Sequence, residues 1–155
     1  MWNKVWSMFS NFPLLNMFPV TKFFVKKWLK NCEKCTFTPR IKYLTGENIY
    51  AKNVNLWGTF FQDLGKIEIG ENTIFWYENM ILTAGYKDTE SLLQDPIIKD
   101  VKIWKNCWIT SRCIILGGVT IWDHVIVWAG SVVTKNVPSY SFVAGNPAKV
   151  IKSLQ

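Results

Sequence analysis

A six-residue period in its aliphatic side chains constrains the fold of this chain more than any other feature. Every sixth residue from position 103 to position 133 is isoleucine or valine. The same spacing recurs upstream at Ile69, Phe75 and Ile81, and before them at Tyr50 and Leu56. Two places before these side chains stand small or medium-sized ones: Thr73, Asn79, Cys107, Cys113, Val119, Val125 and Ser131. A helix repeats every 3.6 residues and a half-buried strand every two, so the period predicts neither.

A triangular coil satisfies this period. Each hexad forms one short strand and one corner, with its aliphatic side chain pointing inward and its small residue where the walls converge. Three hexads make a coil of 18 residues, and coils stack about 4.8 Å apart through parallel-strand hydrogen bonds. We therefore predict an all-β chain in which the segment from about Tyr50 to Lys135 forms about four coils of a parallel β-helix.

Two irregularities interrupt the period. Between Leu56 and Ile69, 13 residues replace 12, which predicts a bulge. Between Ile81 and Ile103 the gap is 22 residues, and the stretch 84–100 contains glycine, proline and mixed charge. We interpret this stretch as a long loop outside the prism, and such loops commonly carry function.

The N-terminal segment, which we place at residues 1–45, is basic and aromatic. Residues 1–42 hold eight basic side chains and one glutamate, and therefore the whole net charge of +7. Pro13 and Pro19 interrupt it, and no apolar run reaches the roughly 20 residues of a membrane span. Two interpretations remain: a mainly helical cap on the β-helix, or a peripheral anchor on anionic lipid. We expect a cytoplasmic protein, at the membrane face under the anchor interpretation. The rest of the chain is neutral, so we expect no nucleic-acid partner.

Histidine and cysteine content excludes several kinds of site. The single histidine, His124, excludes sites that need two or three imidazoles from one chain. Cys107 and Cys113 are six apart at the inward position, which favours core packing. Cys32 and Cys35 form an isolated CxxC, which is a weak zinc signal. We therefore expect no metal site and no disulfide scaffold.

The C-terminal run WAGSVVTKNVPSYSFVAGNPAKVI (Trp128–Ile151) resembles the closing motif of the hexapeptide-repeat acyltransferases. The resemblance covers residues 46–155, and NCWITS (Asn106–Ser111) makes it most similar to sugar O-acetyltransferases of the maltose/galactoside and exopolysaccharide type. It implies a left-handed parallel β-helix, a homotrimer with clefts between subunits, acetyl-CoA as donor and a sugar hydroxyl as acceptor. We also predict a short C-terminal helix.

The resemblance implies a binding groove for CoA. Its lining positions in this sequence are Trp108, Ser111, Ala129, Thr134, Lys135 and Lys149. Ala129 would be small so that the pantetheine arm can approach the backbone, and the two lysines would supply charge for the CoA phosphates. Ser111 and Thr134 also fit as ordinary residues of the β-helix.

On the acceptor side, Asn55 and Asp63 fall where the resemblance implies contacts to sugar hydroxyls, although Asp63 also fits as a turn residue. The departure from the family is Tyr86, which closes the run ILTAGY where a catalytic histidine is expected. A phenol is almost fully protonated near neutral pH and is a weak general base there. Tyr86 therefore fits better as a group that orients the acceptor or hydrogen-bonds the oxyanion. We interpret His124 as an exposed corner residue and not as a replacement base.

Five of the nine tryptophans directly follow an inward aliphatic residue: Trp57, Trp76, Trp104, Trp122 and Trp128. The family most often has glycine at this position, where the chain turns and φ can be positive. The five side chains form an outward aromatic ladder, or they are glycines whose UGA codons were translated as tryptophan. UGG codons at most of these positions would exclude the second interpretation.

Three functions remain open from the sequence. The first is an acetyl-CoA-dependent O-acetyltransferase for a sugar or glycan intermediate, small or lipid-linked, in polysaccharide biosynthesis or modification. The second is N-acetylation of an amino sugar. The third is a non-catalytic β-helix that binds or scaffolds, and the tyrosine at position 86 keeps it open.

Overall fold

The structure, a computed structural model, describes residues 29–37, 41–86 and 96–155 of the chain. These residues form 19 strands and no helix. The chain winds into a parallel β-helix of about five turns, and each turn gives one strand to each of three sheets. The predicted architecture is confirmed, with one more turn than expected, because the strands Cys32–Glu33, Thr36–Phe37 and Lys42–Tyr43 each add to one of the three sheets ahead of the predicted segment.

The three sheets are the walls of the prism. Sheet I contains β1 (Cys32–Glu33), β4 (Ile49–Lys52), β7 (Ile67–Ile69), β12 (Val101–Ile103) and β15 (Thr120–Ile121). Sheet II contains β2 (Thr36–Phe37), β5 (Asn55–Leu56), β8 (Ile74–Phe75), β13 (Trp108–Ile109), β16 (Ile126–Val127), β18 (Ser141–Ala144) and β19 (Lys149–Ser153). Sheet III contains β3 (Lys42–Tyr43), β6 (Phe60–Gln62), β9 (Met80–Leu82), β14 (Ile114–Leu116) and β17 (Val132–Val133). The chain passes the I–II, II–III and III–I corners in turn.

The core is the column of inward side chains predicted from the period. Ile81, Ile109 and Ile115 are fully buried, and so are the small residues Thr73 and Ser131. Their strands pair in parallel and in register, so that residues on neighbouring coils lie directly above one another. Burial of each such aliphatic side chain contributes about 1.5–3 kcal/mol.

The period fails at Tyr50, which is 40% exposed and points outward. Ile49 and Ala51 are the inward residues of β4, and Ala51 pairs with Ile69. The physical reason is a shorter I–II corner in the first coils. There the left-handed residue Asn53 stands two places after the inward Ala51, whereas Asn72 stands three places after Ile69.

The predicted bulge between Leu56 and Ile69 is wrong in kind, although the extra length does lie in that interval. The extra length lies in a loop, residues 63–66, between β6 and β7. The predicted C-terminal helix is wrong as well: Lys149–Ser153 is strand β19, antiparallel to β18. Gly145 and Pro147 lie in the turn that reverses the chain, and the β-branched Val150 and Ile151 favour the strand.

The predicted loop 84–100 leaves the prism at the III–I corner. Its base is a two-stranded antiparallel ribbon of β10 (Ala84–Gly85) and β11 (Ile97–Ile98), which is more ordered than a plain loop. Its remaining residues, 87–95, lie outside the described residues.

An asparagine ladder lines the I–II corner. Asn53, Asn72, Asn106, His124 and Tyr140 follow one another on successive coils, each with φ between 52° and 60°. The Asn53 amide donates to the Asn72 side-chain oxygen at 2.7 Å, and the Asn72 amide donates to that of Asn106 at 3.3 Å. The ladder ends where the His124 ring stacks on Tyr140 at 4.7 Å. Asparagine tolerates the left-handed conformation better than most residues. The asparagines therefore fit the positive φ that this corner requires, and their side-chain amides hydrogen-bond to one another between coils.

The five corner tryptophans do not occupy left-handed positions. None has a positive φ, because each corner makes that turn one or two residues later. Trp104 and Trp122 stack at 5.4 Å with ring planes 11° apart, on the outside of the prism. The aromatic-ladder interpretation therefore fits the backbone, and the backbone gives no conformational reason for glycine there.

Most of the N-terminal segment, residues 1–28, lies outside the described residues, and with it the predicted helical cap or anchor. The described chain runs directly into the first coil at Leu29, a buried core residue. Within the described ranges we find no helix long and apolar enough to cross a membrane.

Candidate active site

The predicted site residues fall into two clusters on different sides of one protomer. The first cluster lies on sheet II and the II–III corner and contains Asn55, Trp108, Ser111, Ala129 and Lys149. The second cluster lies at the III–I corner and contains Tyr86, Thr134, Lys135 and Asp63. Because sheet II faces the III–I corner across the core, one protomer does not bring the clusters together.

Asn55 and Trp108 define the first cluster. They share one outward row of sheet II, in which both pair with Ile74. Asn55 Oδ1 and Trp108 Nε1 are buried, and neither has a hydrogen-bond partner among the described residues. A buried polar atom without a partner costs about 1–3 kcal/mol, and in native structures it calls for a ligand, a water or a functional reason. One acceptor and one donor are thus available on this face.

Ser111 and Ala129 stand one coil apart at the II–III corner. The Gly130 amide donates to the Ser111 carbonyl at 3.0 Å, which stacks the two corners. Ala129 is exposed and carries only a methyl group, so the backbone here is open to a ligand. Trp128, where the family motif has glycine, packs against Phe142 with ring centroids 5.5 Å apart.

The basic residues of the predicted groove are exposed. Lys149 begins β19 and pairs with Ala144 at the edge of sheet II. Lys135 and Thr134 follow β17 on the other side of the prism. Exposed ammonium groups in these positions can meet a phosphate without first breaking a buried ion pair.

Tyr86 stands at the base of the loop and is 50% exposed. The backbone before it is anchored by Thr83, whose hydroxyl donates to the Gln62 carbonyl and accepts from the Gly65 amide at 2.9 Å. The Gln62 side chain in turn accepts from the Ala84 amide at 3.1 Å. Sequence reasoning missed this anchor, although Thr83 was visible in the run ILTAGY as a polar residue two places after the inward Ile81.

Gly117 completes the anchor from the next coil. A Cβ atom there would lie 3.0 Å from the Thr83 carbonyl oxygen and 3.1 Å from that of Lys99. The Lys99 amide also donates to the Thr83 carbonyl at 2.8 Å. The base of the loop is therefore fixed by close backbone packing, which positions Tyr86.

Asp63 is fully buried and holds the preceding turn. Its carboxylate accepts from the amides of Leu44, Thr45 and Gly46 at 2.9, 3.0 and 2.7 Å, and from the Thr45 hydroxyl at 2.5 Å. Burial, and then the Asp63 charge, raise the pKa of Tyr43 to about 12. These contacts match the turn alternative, and a sugar hydroxyl would have to displace the turn to reach this carboxylate.

His124 and the core cysteines contribute no base to either cluster. His124 lies at a corner, as predicted, but is half-buried in the ladder, where its Nε2 is 3.4 Å from the Asn106 amide nitrogen. Cys107 and Cys113 are buried, and burial raises the pKa of both thiols, that of Cys107 to about 11. Among the described residues, no three His, Cys, Asp or Glu side chains are grouped to hold a metal ion.

A groove of about 600 Å³ runs along the outer face of sheet I. Charged residues line much of it, including Lys52, Glu68 and Lys102. Glu68 pairs with Lys66 and, at 3.3 Å, with Lys102, which lowers the pKa of Glu68. None of the predicted site residues lines this groove, so we do not assign the reaction to it.

Comparison with known proteins places this geometry in a class. No protein-family model matches the chain. Galactoside O-acetyltransferase of Escherichia coli is 33% identical over 111 residues, which is 70% of this chain and 53% of that protein. A maltose O-acetyltransferase structure from Clostridium difficile superimposes with a TM-score of 0.86 at 29% identity, over 99% of this chain and 85% of that one.

A further structure shows the fold alone. The hexapeptide-repeat acetyltransferase from Vibrio cholerae, complexed with acetyl coenzyme A, has a TM-score of 0.84 at 22% identity, over 99% of this chain and 85% of that one. The chain spans about half the length of the curated relatives that it matches. The resemblance to the hexapeptide-repeat acyltransferases, and within them to the maltose and galactoside O-acetyltransferases, is thus confirmed.

Proposed function

We propose that this chain is an acetyltransferase that moves an acetyl group from acetyl-CoA to a hydroxyl of a sugar or glycan intermediate. The observation that carries the proposal is the pair of buried, unpartnered polar atoms in the outward row of sheet II, Asn55 Oδ1 and Trp108 Nε1. The resemblance implies that Asn55 contacts the acceptor and that Trp108 contacts CoA. The galactoside and maltose specificities of the relatives support a sugar acceptor.

In this proposal one group of residues binds acetyl-CoA, and Asn55 binds the acceptor. The Trp108 indole N–H can donate to a carbonyl of the pantetheine arm, and the small Ala129 lets that arm approach the backbone. Lys135 and Lys149 carry positive charge for the CoA phosphates. The Asn55 side-chain oxygen can accept from the acceptor hydroxyl and orient it. In the reaction the hydroxyl oxygen attacks the thioester carbonyl and forms the new ester C–O bond, the C–S bond breaks, and the hydroxyl proton ends on the departing CoA sulfur to give the free thiol.

A complete site needs a second copy of the chain. Tyr86 lies at the III–I corner, whereas Trp108 lies on the opposite wall, so the two can meet only across a subunit boundary. The outward rows support such a boundary. Sheet III presents Phe60, Met80, Ile114 and Val132 in register, and sheet II presents Ile74, Trp108, Ile126 and Phe142. We propose a homotrimer that covers these two apolar walls, with a site at each boundary.

Tyr86 takes a positioning role in this proposal. Half of its surface is exposed, and Thr83 fixes the backbone that carries it. A phenol hydroxyl can donate to the oxyanion that forms on the thioester carbonyl, or accept from the sugar hydroxyl. The same residue favours the second candidate function, a β-helix that binds without catalysis, because the imidazole base of the family is replaced.

The experiment that tests the proposal measures thiol release from acetyl-CoA with a panel of sugars and amino sugars as acceptors, and acetyl-CoA without acceptor is the blank. CoA binding is measured separately. The proposal predicts release that depends on a sugar hydroxyl, with the acetyl ester recovered on the sugar. Release with amino sugars alone would support N-acetylation. CoA binding without release by any acceptor would support the scaffold function, and failure to bind CoA would overturn the enzyme proposal.

The composition of the N-terminal segment supports a proposal for where the protein acts in the cell. Its eight basic residues and aromatic side chains support a cytoplasmic protein in peripheral contact with anionic lipid, and hence a lipid-linked sugar as one acceptor class. Deletion of residues 1–28 should abolish sedimentation with phosphatidylserine vesicles while the trimer persists. Aggregation of the truncated chain would instead support the cap interpretation.

A further inference from the structure

Cys32 and Cys35 flank one corner of the first coil. Cys32 lies in β1, Cys35 directly precedes β2, and between them Lys34 takes the left-handed conformation with φ 50°. Cys32 pairs with Ala51 and is buried. Cys35 is half-buried and holds the position that Val54 holds one coil later. Only two residues separate the cysteines across this corner, and their side chains are close enough for the Cys32 thiol to hydrogen-bond the Cys35 sulfur, the proximity that a disulfide requires.

The two thiols occupy different electrostatic surroundings. As a thiol, Cys35 donates to the Glu33 carbonyl at 3.3 Å, and Cys32 donates to the Ile49 carbonyl at 3.7 Å. When Cys35 ionises, a hydrogen bond from the Cys32 thiol stabilises the thiolate and lowers the pKa of Cys35 to about 7, against the opposing effect of burial. The backbone of Val54 and Asn53 adds to this effect. The same contact with Cys35, together with burial, raises the pKa of Cys32 strongly.

We propose that Cys32 and Cys35 form a redox-active dithiol that closes reversibly to a disulfide, with Cys35 as the attacking thiol. The chain offers a matched contrast in Cys107, which holds the position of Cys35 three coils later. There Ile103 replaces Cys32 across the corner, so no second thiol can complete a bridge. The dithiol is independent of the acetyl-transfer site.

The chemistry balances with a hydroperoxide as oxidant. The Cys35 thiolate attacks one peroxide oxygen, the O–O bond breaks, and a sulfenic acid and one water form. The Cys32 sulfur then attacks the Cys35 sulfur, the S–O bond breaks, and the Cys32 proton leaves with the hydroxide as a second water. Two thiols and one hydrogen peroxide thus give one disulfide and two waters. A thiol reductant reverses the step by thiol–disulfide exchange.

The first experiment measures alkylation of the folded full chain by iodoacetamide as a function of pH, with each cysteine peptide quantified by mass spectrometry. We expect the Cys35 rate to rise to half its plateau near neutral pH, while Cys107 reacts only after unfolding. A Cys35 rate that rises only in the alkaline range of an ordinary thiol would overturn the assignment of Cys35 as the attacking group.

The second experiment detects the disulfide directly. Trypsin cleaves after Lys34, so a bridge would join the peptides 31–34 and 35–40 into one species lighter by two hydrogens. We expect this species after treatment with hydrogen peroxide, and its loss with dithiothreitol. Cys32→Ala, which places the residue of the next coil at that position, should trap a dimedone-reactive sulfenic acid on Cys35. Unbridged oxidation of Cys35 to sulfinic acid in the wild type, or equal oxidation of Cys107, would show that no dithiol functions here.

Discussion

Asn55 and Trp108 stand on either side of Ile74 in one outward row of sheet II, each pairing with it on a neighbouring coil. The row thus places the two residues, one with an unpartnered hydrogen-bond acceptor and one with an unpartnered donor, two strand spacings apart along the sheet, or about 10 Å between their backbones. Both atoms are buried without a partner among the described residues, which distinguishes them from the satisfied polar groups of the core. A ligand that lies along the row can contact both.

Replacement of Trp108 by phenylalanine should weaken CoA binding. The variant keeps most of the apolar surface but removes the indole N–H, so the expected loss is one hydrogen bond, about 1 kcal/mol or several-fold in Kd. Isothermal titration with CoA measures this change. Trp122→Phe, at an exposed corner, is the matched control and should leave Kd unchanged. Equal affinities in all three proteins would remove Trp108 from the CoA site.

Replacement of Asp63 by alanine should destabilise the fold, because it leaves the amides of Leu44, Thr45 and the buried Gly46 without their acceptor. We expect a loss of at least about 3 kcal/mol in the free energy of unfolding, measured by urea denaturation. A sugar-binding role would have a different signature: a raised KM for the acceptor with unchanged stability. That result would restore Asp63 to the acceptor site.

Tyr86→Phe distinguishes orientation from proton transfer. If the hydroxyl only positions the acceptor or the oxyanion, kcat/KM should fall several-fold, about 1 kcal/mol. Removal of a general base would instead cost about 10²–10⁴ in rate. We expect the smaller loss, and we expect Tyr86→His to retain or raise turnover near pH 7–8, where imidazole is largely neutral. Inactivity of Tyr86→His beside an active wild type would contradict the positioning role.

The apolar wall of sheet III should be a subunit boundary. Ile114→Glu places a charge in the middle of its outward row and should convert the proposed trimer into monomers, as measured by multi-angle light scattering. Thr120→Glu, on the polar outer face of sheet I, is the control and should leave the assembly intact. A wild type that is already an 18.0 kDa monomer at micromolar concentration would contradict both the trimer and the shared site.

Gly70 should tolerate no side chain. A Cβ there would lie 2.6 Å from the Lys105 amide nitrogen and 2.7 Å from the Trp104 carbonyl carbon, and both are backbone atoms. Gly70→Ala should therefore cost about 2–3 kcal/mol in unfolding free energy. At Gly85 a Cβ would meet nothing within 4 Å in the described part of the chain, so Gly85→Ala should be nearly neutral. Similar stabilities of the two variants would contradict the close backbone packing of Gly70 against Trp104 and Lys105.

The six-residue period predicted most of the core because inward positions in a prism depend only on spacing. It failed at Tyr50, where a corner shortened by one residue shifts the register, since the period carries no information on corner length. The sequence predicted a short C-terminal helix, and it missed strand β19 because that strand depends on a partner, β18, that lies across a turn.

The candidate site was less predictable than the fold. The motif located Trp108 and Ala129, but the unpartnered atom of Asn55 is visible only once the row of sheet II is assembled. The same holds for Asp63, whose four hydrogen bonds come from a turn 17 to 19 residues upstream. Sequence similarity left a sugar contact and a turn role open for Asp63, whereas the tertiary contacts engage its whole carboxylate in the turn.

The asparagine ladder has a consequence for how the chain can change length. Asn106 and His124 hold the same corner position on successive coils, 18 residues apart. Each contacts the residue at that corner on the neighbouring coil: Asn106 contacts Asn72, and His124 contacts Tyr140. Insertion or removal of one whole 18-residue unit would return each rung to an equivalent neighbour, whereas any other number has to be absorbed where a corner changes length or a loop leaves the prism. The ladder contains two examples: Asn53 and Asn72 are 19 residues apart and Asn72 and Asn106 are 34 apart, because the loops at 63–66 and 84–100 lie between them. Lineages of such chains should therefore differ in length by whole coils within the prism, and freely only in the segments that leave it.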